Sequence, residues 1–229
     1  MITNNIIGRV FFLKSDFGTG TGFTVEYNDK QYLITARHLF RKDSDKPPFP
    51  KIINHKDNIE VSIFHDNIWK TLNVKVYFNK HIDIDIAILS LPFDISHRQK
   101  INIESHGLMY GQDAYFLGFP YQMFCDSTGL NNEFPFPFIK KCVFSAYKKG
   151  INDEVIFFFD GHNNPGFSGG PIVFVEEKTK ETRICAVVRG YIPQVGDINL
   201  QQTLANYTEN SGIIVSYNSS HATEILKDI

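Results

Sequence analysis

Short apolar runs, broken again and again by turn-forming residues, most constrain what this 229-residue chain can fold into. GRVFFLK, GFTVEY, QYLITA, VSIFH, LNVKVYF, DIDIAILSL, DAYFLGF, EVIFFFD, GGPIVFV, RICAVV and GIIVS follow one another with Gly, Pro, Asn, Asp and Ser between them. Runs of this length and composition suit strands. GFTVEY and QYLITA, joined through Asn28, Asp29 and Lys30, read as a hairpin. Helical spacing appears only at the end, where Ala222, Ile225, Leu226 and Ile229 share one helical face and Ser219 or Ser220 offers an N-cap. The pattern predicts an all-β sandwich or barrel with a short C-terminal helix. The strand series starts afresh near Tyr110, so the chain divides into strand-rich halves at 1–105 and 108–215, with 216–229 as the terminal helix. Two loops break the rhythm, at 41–58 and 124–141; the second carries Phe134-Pro-Phe-Pro-Phe138 in a segment expected to be exposed.

Composition removes several function classes. A net charge of -2 gives no electrostatic case for nucleic acid or an anionic membrane. The pairs Lys140-Lys141 and Lys148-Lys149 read as solvated. No stretch approaches the roughly 18 apolar residues of a membrane span, and the N-terminus lacks the pattern of a secretory leader, so a cytoplasmic location is expected. Cys125, Cys142 and Cys185 are too few and too scattered for a disulfide framework or a zinc site, and read as inert thiols. Asn206-Tyr-Thr and Asn218-Ser-Ser fit the glycosylation pattern but carry little weight without secretion. No metal or cofactor is expected.

NPGFSGGP, residues 164–171, sets one serine among three glycines. Glycine loses much backbone freedom on folding, so such a cluster implies a task for the backbone itself. A serine hydroxyl attacks only when a base takes its proton and a third group orients that base. Of the eight histidines, His38 directly follows the apolar strand ending at Ala36, where a rigid scaffold can aim it. In HIDIDIAILSL, Asp83 and Asp85 alternate with isoleucines on what reads as a strand. Carboxylates so deep in an apolar run are costly unless paired, which makes one of them a candidate partner for a histidine.

These stretches resemble the chymotrypsin/trypsin-like serine peptidases, and among them the HtrA-like two-barrel peptidases of bacteria. GTGTGFTVEYNDKQYLITARHLF is similar to the family's glycine-rich strand and Thr-Ala-x-His segment, DIAIL to its aspartate segment, and DGHNNPGFSGGPIV to its serine segment. GQDAYFLGFPY resembles the opening strand of the second barrel, and GIIVSYNSSHATEIL the closing strand and helix. The order His, Asp, Ser is that of chymotrypsin. The resemblance implies two six-stranded antiparallel barrels. His38 is then the general base, Asp85 its orienting carboxylate and Ser168 the nucleophile, with the N–H groups of Gly166 and Ser168 as the oxyanion hole. Asp85 rather than Asp83 is chosen because Ile-Ala-Ile-Leu follows it.

The departures matter as much. Where zymogen-activated relatives carry an aspartate before the serine, this chain has Phe167, which accepts no ammonium partner; that puts a preformed oxyanion hole in question. His162 stands where trypsins place an acidic pocket base, so Arg or Lys at the cleaved position is disfavoured. With Arg189 it suggests an acidic or polar side chain there. Gly18 to Gly22 lacks the ending and the helix of a phosphate loop, and Gly20 and Gly22 are expected to bend a strand. The reading is a serine endopeptidase acting on protein or peptide substrates, with a regulatory protein partner as a further expectation. The alternative is a catalytically silent or partner-activated module of the same fold that binds peptides.

Overall fold

The computed structural model describes residues 2–40, 56–125, 129, 131–200 and 203–229. The expected loop at 41–58 lies largely outside them. After a short helix α1 (Asn4–Ile7), strands β1 (Val10–Ser15), β2 (Gly18–Tyr27), β3 (Lys30–Thr35), β4 (Lys56–His65), β5 (Ile68–Phe78) and β6 (Ala87–Ser90) close an antiparallel barrel in the order β1-β2-β3-β6-β5-β4. The second sheet is built from β7 (Asn102–Ile103), β8 (Asp113–Gly118), β9 (Phe138–Lys149), β10 (Val155–Asp160), β11 (Pro171–Val175), β12 (Thr182–Leu200) and β13 (Thr203–Asn218). Its order is β11-β8-β9-β10-β13-β12-β7, and a further pairing of β11 with β12 closes six of these strands on themselves. This is the chymotrypsin-like architecture. The seventh strand, β7, joins parallel to β12, with Ile103 beside Ile184.

Local chemistry explains the turns. β2 and β3 meet at Tyr27 and Lys30, and both residues between them, Asn28 at φ 47° and Asp29 at φ 57°, are left-handed. That is the type I′ geometry whose twist matches the flanking strands. Asp66 and Asn67 repeat it between β4 and β5.

The unbroken apolar runs have a reason. Along β1, Phe11 and Leu13 point into the first barrel, while Val10 and Phe12 point to a second cluster shared with Leu117, Phe119, Val173, Val187 and Tyr217 of the other sheet. Strands with both faces covered need apolar residues at every position. Helix α2 (Ser220–Lys227) seals this inter-barrel cluster with Ala222, Ile225 and Leu226. Ile229, expected on the same face, lies beyond the helix and is exposed. Ser219 is the N-cap residue, but its side chain makes no capping bond; its Oγ is buried without a partner. A third cluster, containing Phe116, Phe144, Phe159, Phe167 and Phe174, fills the second barrel.

Several expectations change. β9 is missing from the strand pattern because its lysines mask the alternation, and the segment from Phe138 onward is strand rather than loop. The aromatic run is not exposed: Pro135 and Pro137 are buried, and Phe134 packs edge-on against Phe11 of the first barrel at 4.8 Å. Cys142 and Cys185 are buried, as expected for inert thiols, and burial pushes both well up from the ordinary thiol range. Cys125 is exposed. No helix among the described residues is long and apolar enough to cross a membrane.

Candidate active site

His38 sits on a single helical turn (Arg37–Phe40) directly after β3. Asp85 lies in the extended stretch just ahead of β6, flanked by the fully buried Ile84 and Ile86. Its carboxylate grips His38 twice: Oδ2 is 2.6 Å from Nδ1, and Oδ1 accepts the His38 backbone N–H at 2.8 Å. An ionised carboxylate only accepts, so the proton of the neutral ring stands on Nδ1 and Nε2 is left as the basic nitrogen. The Arg37 N–H donates to the Asp85 carbonyl at 3.4 Å, and the Arg37 guanidinium donates to Ile82 O while lying over the Phe78 ring. The Tyr217 hydroxyl donates to the Asp83 carbonyl, and burial raises that phenol to about 12. Asp83 itself is exposed and accepts from Asn152, so it is not the histidine's partner.

The serine turn is held through its carbonyls. His162 O accepts from Lys140 Nζ, Asn163 O from Asn210 Nδ2, and Asn164 O from the Phe167 N–H. Pro165 O accepts from the Tyr121 N–H at 2.8 Å, and Gly166 O from Thr21 Oγ1 at 2.7 Å. Phe167 O takes the Gly170 N–H and Ser168 O the Thr21 N–H. Every carbonyl from 162 to 168 is therefore spoken for. Among the described residues, no protein acceptor takes the N–H of Gly166 or of Ser168. The turn is thus shaped to leave two backbone donors unclaimed. The Ser168 hydroxyl donates to the Arg189 carbonyl at 3.1 Å.

A family model of the trypsin-like peptidase domain matches residues 20–179, a span that contains His38, Asp85 and Ser168. The chain belongs to the trypsin-like peptidases. No curated protein matches the sequence. Among solved structures it is similar to the Rv3671c protease in its inactive form, with a TM-score of 0.58 and 14% identity over 98% of this chain and 90% of that one. A serine-to-alanine mutant of Rv3671c from M. tuberculosis H37Rv gives 0.56 and 14% over 98% and 88%. The HtrA-type protease AlgW, in an alanine-substituted form with a tripeptide, gives 0.59 and 14% over 97% of this chain and 60% of its own.

In this trypsin-like peptidase, Phe167 is fully buried and meets Phe116 edge-on at 4.7 Å. Apolar burial anchors the residue before the serine, where zymogen-activated relatives use an ion pair. Gly166 has φ +106°, and a Cβ there would stand 2.1 Å from the Phe119 carbonyl. Gly166→Ala is therefore expected to displace the turn and slow acylation of Ser168 by about 10²-fold or more, the scale for losing an oxyanion donor. Comparing fluorophosphonate labelling rates at equal folded protein checks this. The glycine-rich segment is also accounted for. A Cβ at Gly169 would stand 2.2 Å from Thr21 O, and one at Gly20 would stand 2.9 Å from Ser168 O, so Gly20 serves close approach rather than strand bending.

Beside the serine turn opens a polar cavity of about 410 Å³, walled by Tyr121, His162, Asn163, Asn164, Pro165, Tyr191 and the 208–210 segment of β13. His162 lines it. The exposed Arg189 side chain does not; only its carbonyl faces the serine. Glu209 stands in the wall instead. Sequence reasoning missed Thr21, Tyr121, Lys140 and Asn210, which fix the turn from outside its motif.

Proposed function

We propose that this trypsin-like peptidase is a serine endopeptidase that cleaves protein substrates through an acyl-enzyme, with His38, Asp85 and Ser168 as its triad. One observation carries the reading: the serine turn commits all its carbonyls and keeps the Gly166 and Ser168 N–H groups free. Free backbone donors beside a nucleophile are what the tetrahedral oxyanion of acyl transfer needs. Ser168 rests on the Arg189 carbonyl, so its hydroxyl turns about χ1 to reach His38 Nε2. As the oxygen attacks the substrate carbonyl carbon, its proton passes to Nε2, and the imidazolium is stabilised by the Asp85 carboxylate. The same proton then goes to the leaving amine. The acyl-enzyme is released by water, with His38 again the base and Ser168 regaining its proton.

The resting bond from Ser168 to Arg189 favours a second reading, in which a partner or ligand must first free the hydroxyl. The test is direct. The purified chain is treated with a fluorophosphonate, the labelled residue is located by mass spectrometry, and casein hydrolysis is followed in parallel. Label on Ser168 with casein cleavage is the expected result. A folded protein that takes no label and cuts nothing overturns constitutive activity, and label gained only with a partner establishes the second reading.

A further inference from the structure

Lys140 stands where the strand pattern calls for an apolar side chain. Along β9, Phe138, Cys142 and Phe144 face the second barrel, and Lys140 occupies the same register, half-buried, opposite Phe116 of β8. Its neighbour Lys141 points the other way and pairs with Asp113 at 2.8 Å in the open. Only one of the two lysines is therefore solvated as the sequence suggested. An ammonium on the inner face of a barrel is costly unless its donors are satisfied. Here they reach out of the barrel to the serine turn. Nζ donates to the His162 carbonyl and, at 3.1 Å, to the Asn164 side-chain oxygen. It also lies 5.8 Å from the Phe116 ring centre and 5.9 Å from that of Phe167, within the range of cation–π attraction. Desolvation lowers its pKa from the ordinary lysine value.

We propose that Lys140 is a positioning residue for the serine turn: its ammonium pins the His162 carbonyl and the Asn164 carboxamide and so keeps the Gly166 and Ser168 N–H groups free for an oxyanion. The proposal deepens the reading of the turn as an oxyanion hole and rests on it. Phe167 and Lys140 form a unit. The ring fills the core below the turn and the cation clamps the strand of the turn that precedes it. Asn164 extends the clamp, because its Nδ2 donates to the Tyr121 hydroxyl at 3.2 Å while the Tyr121 N–H holds Pro165 O. A fixed positive charge set against the entry to the turn thus does from within the fold what an ammonium does in relatives activated by cleavage.

The experiment compares the wild-type chain with Lys140→Met, which keeps the stem and removes the donors, and Lys140→Arg, which restores charge and donors. Fluorophosphonate labelling and hydrolysis of a peptide substrate are measured together with hydrogen exchange of peptides spanning residues 161–170. Lys140→Met is expected to lower the labelling rate and kcat by about 10- to 100-fold, the scale of a misplaced reacting group. KM should change little, and exchange at Phe167, Gly169 and Gly170 should quicken; Lys140→Arg recovers most of each. Wild-type labelling, exchange and kcat in Lys140→Met overturn the proposal, as does a loss confined to KM. If Lys140→Met fails to fold by near-UV circular dichroism, Lys140→Gln takes its place, with labelling and exchange again decisive. If the wild type itself takes no label, the endopeptidase reading fails. The exchange comparison then still decides whether Lys140 holds the turn.

Discussion

Replacing Ser168 with alanine is expected to cost about 10⁶-fold in turnover, and replacing His38 with alanine about the same, because nucleophile and base act as one unit. The double variant Ser168→Ala/His38→Ala should be no slower than either single one. Geometry motivates that non-additivity. The hydroxyl is inert without a base, and the ring, held by Asp85 at both Nδ1 and the backbone N–H, has no acyl-enzyme to hydrolyse once the serine is gone. Residual hydrolysis above the uncatalysed rate should survive in all three variants, since the free N–H groups of Gly166 and Ser168 remain. Initial rates of peptide hydrolysis at equal concentrations of folded protein check the claim; single losses that multiply in the double variant would show that the two residues do not share a step.

Asp85→Asn is expected to lower turnover by about 10⁴-fold while leaving the fold intact. An asparagine carboxamide can still accept the His38 backbone N–H through its oxygen. Its NH₂ then faces Nδ1 and donates to it, so the neutral ring carries its proton on Nε2, where Ser168 needs an acceptor. The loss should appear in kcat rather than in thermal stability. It should ease at high pH, where a deprotonated serine bypasses the missing base. A variant that loses its melting transition along with its activity would instead mark Asp85 as a structural anchor.

The sequence displayed its chemistry more openly than its supports. The histidine, aspartate and serine segments are contiguous, so their residue types could be read along the chain, and the apolar alternation around Asp83 and Asp85 already marked one of them as a carboxylate in need of a partner; the family motif chose Asp85. The strands were legible where both faces are apolar, as in VFFL of β1. They were hidden where charge interrupts the alternation, as in FIKKCVF of β9, or where polar residues extend a ribbon beyond the core, as in the far ends of β12 and β13. The exposure expected of the 134–138 aromatics failed because Phe134 is covered by the other barrel and Phe138 by the core of its own, surfaces that local spacing does not mark. Thr21, Tyr121, Lys140 and Asn210 touch the serine turn only after folding, and no local spacing marks them. Phe167 belongs with them: its packing against Phe116 in the core beneath the turn is seen only in the fold.

Thr21 carries a consequence for timing. Its backbone N–H holds Ser168 O from the opposite barrel, and its hydroxyl holds Gly166 O across 145 residues of chain. Contacts so distant in sequence close late in folding, and the N-terminal half of a growing chain is made first. A ribosome that has just released the serine segment has produced Ser168 without the contacts that hold its turn. On the proposed reading of the site, cutting power would arrive only once Thr21 has reached the serine turn, so an incompletely folded chain would not digest itself.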